Sequence, residues 1–256
     1  MYVLPVSVRL ALWATAALAG QLPIDQAVDR AHPDLDHVAG DLDRLTLWRD
    51  LGERAVLVAL PRPGNLSGMP RGSAELIAVA TEAGECVYAP SLGAALVPTL
   101  EQFGPAGDQG TQVSWTAYDC DPVPTHVLEA LSLNEIELRF RQSVLEATDR
   151  IDALDTKPWN ATMRSLASQQ PGGAWGLPRE LPSRAQRIIG TAAQIGVATD
   201  LGLSIRAESQ VLTSQLTEQR HRLLTDLSAI ADTAMASAAT VAALATAGLR
   251  PGREDR

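Results

Sequence analysis

The chain has 256 residues, of which 46% are hydrophobic and 20% are charged, and its formal net charge is −9. This composition is typical of a folded globular protein and excludes a chain that is disordered throughout. The acidic balance disfavours nucleic acids and anionic membrane surfaces as partners, because like charges repel. The two cysteines, Cys86 and Cys120, are far apart and predict buried thiols rather than a disulfide scaffold.

The N-terminal part predicts helices. Residues 3–19 are strongly apolar, but no basic cluster precedes them and Arg9 interrupts the run, which favours a buried helix over a signal peptide. A short helix is predicted at residues 24–28. A further helix is predicted beyond it, because apolar residues recur there at helical spacing: Leu35, Val38, Leu42 and Leu45.

The stretch on which the rest of the chain depends follows at residues 54–84. The apolar run Ala55 to Leu60 predicts a strand, Pro61 to Gly72 (PRPGNLSGMPRG) predicts a loop, and a helix is predicted from Ser73. A second strand is predicted at Glu85 to Ala89. A strand, a helix and a strand in this order indicate a parallel βαβ unit.

Two more strands are predicted before residue 120. The first spans Leu92 to Leu100, where Pro98 confines it to an edge or an end of the sheet. Residues 101–110 are rich in turn formers, and the alternating run Thr111 to Asp119 predicts the last strand. The resulting element is a small mixed sheet of four strands.

Residues from 122 onward predict only helices. The longest is expected at residues 203–247, either as one helix or broken near residues 213–222 into a hairpin. The fold class is therefore α+β, with a first part at residues 1–121 and a helical part at 122–256. The sequence further predicts an amphipathic helix over 133–154, a helix restarting at 156–167, a Pro/Gly-rich linker at 169–182, a helix from Ser183 and a disordered tail at 252–256.

The loop at 61–72 is the one candidate ligand site. Backbone amides freed by glycine, two guanidinium groups and the N-terminus of the following helix are the components of an anion cradle. Its spacing matches neither the P-loop nor the dinucleotide-binding fingerprint, and an ordinary exposed loop with incidental arginines explains the same residues. The candidate residues are Arg62, Gly64, Asn65, Ser67, Gly68, Arg71 and Gly72.

The sequence gives little support for a catalytic site or a metal site. Asp119 and Asp121 flank Cys120 at a strand end, but side chains there alternate between the two faces and no nearby histidine completes a ligand set. The four histidines, His32, His37, His126 and His221, are expected at the surface or at helix caps. No metal and no cofactor are predicted, and whether the protein is an enzyme is left open.

A resemblance emerges from the order of these segments. The succession VLVALPRPGNLSGMP, GAALVP, TQVSW and LEATDRIDALDTKPW resembles a set of uncharacterised proteins from high-GC actinobacteria, over much of residues 45–160. The resemblance implies no activity and carries no functional residue over.

Two functions are compatible with the sequence. The first is a non-catalytic, cytoplasmic binding or regulatory protein that works through protein contacts, including self-association through the 203–247 helix. The alternative is an enzyme or sensor that binds an anionic, phosphorylated small molecule at the 61–72 loop. Neither nucleic acid nor membrane is expected as a partner.

Overall fold

A computed structural model gives the fold and describes residues 4–105, 107–153, 176–204 and 214–250. The predicted 156–167 helix, the first half of the 169–182 linker and the 252–256 tail lie outside the described residues. The elements in chain order are α1 Val6–Leu18, α2 Ile24–Ala31, β1 His37–Gly40, α3 Arg44–Asp50, β2 Leu57–Ala59, α4 Ala74–Ala83, β3 Cys86–Ala89, β4 Ala94–Phe103, β5 Gly110–Asp119, α5 Thr125–Glu129, α6 Leu133–Asp152, α7 Ser183–Ser204 and α8 Ser214–Thr246.

The strands form one mixed sheet in the order β1-β5-β4-β3-β2. β1 pairs parallel with β5, and every other pair is antiparallel. The mixed α+β class with N-terminal helices and a helical C-terminal half is confirmed. The sheet, however, has five strands rather than the predicted four.

The extra strand is β1, which lies where Leu35, Val38, Leu42 and Leu45 predicted a helix. That prediction is wrong because the apolar spacing runs across Gly40, whose φ is 96°. A Cβ on Gly40 would lie 2.1 Å from the carbonyl oxygen of Trp115, so only glycine allows this approach. Asp36 and Asp41 extend the ladder on either side, each accepting a backbone N–H of β5 at 2.8 Å.

The predicted parallel βαβ unit is also wrong, because β2 and β3 are antiparallel. After β2 the loop crosses the sheet, and its far end is fastened beside the end of β5, where the Asp121 N–H donates to the Arg71 carbonyl at 2.6 Å. α4 therefore begins at the opposite end of the sheet from the one at which β2 finishes. Ser73 caps this helix through its side chain and Gly84 ends it with φ 71°, so the chain enters β3 running against β2.

β4 is longer than predicted and continues to Phe103 through residues expected to form a turn. Its ladder with β3 ends at Leu96, so Pro98 lies where no strand neighbours it on that side. The missing N–H of proline costs no hydrogen bond to β3 there.

β2 forms one edge of the sheet and is fully buried, since α1 and α8 pack against it. A buried edge strand needs partners for its backbone groups. At Val56, the buried residue directly before β2, the Thr15 hydroxyl of α1 supplies both partners, since it accepts the Val56 N–H at 2.9 Å and donates to the Val56 carbonyl at 3.1 Å.

The C-terminal helices form a bundle joined to the sheet. α7 ends at Ser204 and α8 begins at Ser214, so the predicted 203–247 segment includes the end of one helix and the whole of the next. α8 packs along α7, where Gly202 lies beside the Leu224 side chain, and also against α6. Residues 205–213, which would decide the break, lie outside the described residues.

One helical segment, Leu216–Thr246, has the length and apolar composition to cross a membrane, but 72% of its apolar window is buried inside the fold. Burial of this kind is also found in the core helices of soluble proteins, so the segment is weak evidence for a membrane span.

We predict that Thr15→Val destabilises the protein by about 2 to 4 kcal/mol, because the isosteric methyl leaves a buried N–H and a buried C=O without partners. Thr148→Val on α6 is the matched control. The Thr148 hydroxyl donates to Val144 on an exposed helix face, and its loss should cost less than about 0.5 kcal/mol. Urea unfolding measures the free energy of unfolding of both variants. An equal decrease in the two would contradict this role for Thr15.

Candidate functional site

The structure holds the first arginine of the 61–72 loop in an ion pair. Arg62 Nε lies 2.7 Å from Asp232 Oδ2 on α8, and its guanidinium group also packs against Gly84 at the end of α4. Burial lowers the pKa of Arg62, but the hydrogen bond and charge of Asp232 outweigh this and raise it. Arg62 thus joins the loop to the C-terminal helix.

The second arginine lies at the other end of the sheet. Arg71 is exposed, and among the described residues it makes no ion pair. Its backbone adjoins the end of β5, whereas Arg62 lies beside the start of β3. Since β3 and β5 run in the same direction, these two points are at opposite ends of the sheet. The structure does not bring the two guanidinium groups together.

The residues between the two arginines close the loop on itself. The backbones of Arg62 and Asn65 exchange two hydrogen bonds of 2.8 Å, and the Asn65 side chain accepts from both the N–H and the hydroxyl of Ser67. Asn65 Nδ2 donates to Thr233 on α8 at 3.1 Å. Gly64 and Gly68 both have φ of 82°. This half of the loop contacts α8, and the predicted anion site stays a prediction.

The Arg62–Asp232 pair belongs to a larger cluster of charges around the N-terminus of α1. Arg9, which is 1% exposed, pairs with Asp34, and the Ser7 N–H donates to Glu85 at 2.8 Å. Burial raises the pKa of Glu85, while Ser7, Arg9 and Arg62 partly offset this. Burial likewise raises the pKa of Asp232, against the influence of Arg62. The cluster connects α1, β3, the loop and α8.

The other titratable side chains singled out in the sequence have structural roles. His32 follows α2 as its C-cap, is buried, and accepts the Trp115 indole N–H through Nε2 at 3.2 Å, with its pKa lowered by burial. Cys86 and Cys120 are free thiols, and burial raises the pKa of Cys120 to about 11, which makes it a poor nucleophile. Within the described residues, no three His, Cys, Asp or Glu side chains converge on a point that could hold a metal.

The feature that sequence reasoning missed is a groove between α6 and α7. Both helices pack on α8 but touch each other little, which leaves a groove of about 370 Å³ between them. Its lining is mostly apolar and comprises Phe140, Val144, Leu145, Ile188 and Ile195, with Glu137, Arg141, Arg187 and Thr191 at the rim. The Leu145 side chain is 65% exposed.

The rim of this groove is basic. Glu137 is already engaged, since Arg141 lies 2.7 Å and Arg184 3.2 Å from its two carboxylate oxygens. Arg187 is exposed, and no acidic side chain of the described chain lies within ion-pair distance of it. Two arginines, Arg141 and Arg187, against one glutamate give the described lining of the groove a positive charge on a protein of net charge −9.

A sequence signal for the groove existed. Leu138 and Leu145 lie on the charged face of α6, which carries the Glu135–Arg139 and Glu137–Arg141 pairs, and of the two Leu145 lines the groove. Both are more than half exposed. Large apolar residues on a charged helix face indicate that something other than water can cover them.

Two family models match the sequence of this chain. Residues 7–130 match the model described as Rv1486c-like protein, N-terminal domain, and residues 134–236 match Rv1486c-like protein, C-terminal domain. Two relatives from Mycobacterium tuberculosis are the uncharacterized protein MT1533 of strain CDC 1551, 28% identical over 244 residues, and the uncharacterized protein Rv1486c of strain H37Rv, 27% identical over 247. Each alignment covers 77% of this chain and 83% of the relative. No solved structure matches. The resemblance to uncharacterised actinobacterial proteins is confirmed.

The ion pair between loop and helix generates a prediction. Because the folded pKa of Asp232 is raised, the folded protein retains its proton longer than the unfolded chain, and stability falls as pH rises through that raised pKa. Arg62→Ala raises this pKa further. We expect this variant to lower the free energy of unfolding by about 1 to 3 kcal/mol at neutral pH. The decrease should be smaller at acidic pH, where Asp232 is protonated.

Adding Asp232→Asn to Arg62→Ala should recover most of that loss, because no buried charge remains. Arg139→Ala, which breaks an exposed pair with Glu135, is the control and should cost about 0.5 kcal/mol or less. Chemical unfolding across pH tests all three variants. A loss in Arg62→Ala that is independent of pH would show that Asp232 does not cause it.

Proposed function

The chain belongs to the Rv1486c-like family, and we propose that it is a non-catalytic, cytoplasmic binding protein that acts through protein contacts. The observation that carries the proposal is the apolar groove between α6 and α7. Exposed apolar surface bordered by charge is typical of protein interaction sites.

The groove has the form that receives a helix. Two helices that diverge over a shared third helix leave a channel into which one more helix can insert its apolar ridge, as in helix-in-groove recognition. Phe140 and Val144 are one helical turn apart on α6, and Ile188 and Ile195 are two turns apart on α7. These side chains provide an apolar surface along the channel for residues at positions i, i+3, i+4 and i+7 of a bound helix.

The rim identifies the chemistry of the occupant. Arg187 and the arginines around Glu137 favour acidic residues on either side of the apolar ridge. The proposed partner is therefore an amphipathic helix of another protein with aspartate or glutamate flanking its apolar positions. The protein's overall negative charge opposes such a partner elsewhere on the surface, which makes this site selective.

A second copy of the chain is the competing occupant, and self-association through the 203–247 segment was predicted from sequence. The C-terminal half of α8 is buried against α1 and β2 within the same chain, so that half is unavailable to another subunit. Light scattering at tens of micromolar distinguishes the two cases, because a mass of one subunit excludes the dimer.

Arg71 supports the alternative function, which is the binding of an anionic small molecule at the 61–72 loop. Arg71 is exposed and carries no ion pair within the described chain. If this alternative holds, a phosphorylated metabolite should raise the melting temperature of the protein and Arg71→Ala should abolish the shift. An equal shift in Arg71→Ala would remove Arg71 from the site.

We predict that Leu145→Glu abolishes helix binding without unfolding the protein, because it places a charge at the mouth of an apolar channel. The matched control is Leu51→Glu, whose side chain is 61% exposed compared with 65% for Leu145 but lies after α3, away from the groove. A displayed library of random amphipathic helices, selected on the native protein and on each variant, provides the measurement.

Selected sequences should carry acidic residues beside an i, i+3, i+4, i+7 apolar ridge, and they should bind Leu51→Glu but not Leu145→Glu. Arg187→Ala should weaken acid-flanked helices while leaving neutral ones unchanged. Selection of base-flanked helices, or of sequences that bind Leu145→Glu equally well, would contradict the proposal.

A further inference from the structure

A second cavity, unrelated to the α6–α7 groove, lies on the sheet beside α4. It has a volume of about 400 Å³ and is formed by the C-terminal half of α4 together with β4 and β5. α4 packs on β4 but stops at Gly84, so the neighbouring part of β5 is left uncovered. The volume lies within the range of small-molecule sites.

The floor and one wall of this cavity are apolar. Val97 of β4 is buried at its base, and Val79 of α4 is half-buried at its side. Val97 pairs with Thr116 of β5, and Tyr118 follows two residues later, so both β5 side chains lie on the same face of the sheet as Val97. The Tyr118 ring and the hydroxyl groups of Thr116 and Tyr118 thus lie beside the apolar base of the cavity.

Among the described residues that line the cavity, Glu82 alone is charged. Within the described chain, no hydrogen bond or ion pair engages the Glu82 carboxylate or the hydroxyls of Thr99, Thr116 and Tyr118. Glu82 lies in the last turn of α4, and that turn contains no basic residue. The cavity therefore repels anions and attracts cations.

We propose that this cavity binds a small organic cation, in which an ammonium group is carried on an apolar body. Glu82 receives the ammonium group as an ion pair, and the Tyr118 ring offers a second, cation–π contact. Val79 and Val97 contact the apolar body, while the threonine hydroxyls are available to polar substituents. This inference goes beyond the proposed protein-binding function and does not depend on it.

Phosphorylated and carboxylated compounds are excluded by the same chemistry. An anion in this cavity would face Glu82 with no compensating arginine or lysine among the described lining residues. The site thus differs in ligand class from the anion site predicted at the 61–72 loop.

A matched series of probes tests the proposal: benzyltrimethylammonium, benzylamine, benzyl alcohol and benzoate share one ring and differ in charge. We expect both cations to bind at least about threefold more tightly than the alcohol, and benzoate not to bind, when titrated by NMR. Amide shifts should concentrate at Val79, Thr99 and Thr116. Shifts confined to another part of the protein would overturn the assignment.

Glu82→Gln should remove the preference for cations over the alcohol while leaving alcohol binding unchanged, because only the charge is lost. Glu75→Gln is the control, since Glu75 is exposed on the same helix but does not line the cavity. A preference that persists in Glu82→Gln, or that is lost equally in Glu75→Gln, would show that Glu82 does not select the ligand. Benzoate binding as tight as benzylamine binding would refute the site.

Discussion

The fold depends on the burial of a sheet edge. β2 is the terminal strand of the sheet, yet every residue from Leu57 to Ala59 is inaccessible to solvent. An exposed edge can satisfy its backbone groups with water, whereas a buried one requires protein partners. At Val56, directly before β2, the Thr15 hydroxyl of α1 supplies two such hydrogen bonds, and α8 supplies the apolar cover of the strand. The sheet therefore requires a helix from the far end of the chain.

That requirement explains the ion pair between α8 and the loop. A buried carboxylate is costly unless it finds a partner, and a wrong register of α8 would leave Asp232, whose side chain is 10% exposed, separated from Arg62. Arg54 acts at the C-terminal end of the same helix, where its guanidinium group donates to the Ala247 carbonyl at 2.6 Å. Polar contacts at the middle and at the C-terminal end thus specify one position of α8 on an apolar surface that would otherwise tolerate sliding.

Local patterns were sufficient for much of this architecture but not for its connections. The apolar run at 55–60, the Ser73 cap and the alternation at 111–119 each indicate their element, because the signal lies within one segment. β1 was missed because its four residues have an exposed, uninformative pattern and its identity comes from Trp115, far along the chain. The partner of Arg62 is equally remote in sequence, so the loop appeared free. The α6–α7 groove depends on how two helices diverge over a third, which no single periodicity records.

α8 packs both on the sheet, together with α1, and on the two helices α6 and α7. Its C-terminal half is enclosed by α1 and β2, where its side chains, including Ala238 and Ala242, are inaccessible to solvent. Small residues there let the helix approach the sheet closely, which makes that half intolerant of larger side chains. α6 and α7, in contrast, touch each other little. The contact between these two helices can adjust at lower cost than the packing of α8 on the sheet, because fewer buried contacts must move. A helix bound in the groove between them, as proposed, would therefore leave the sheet undisturbed.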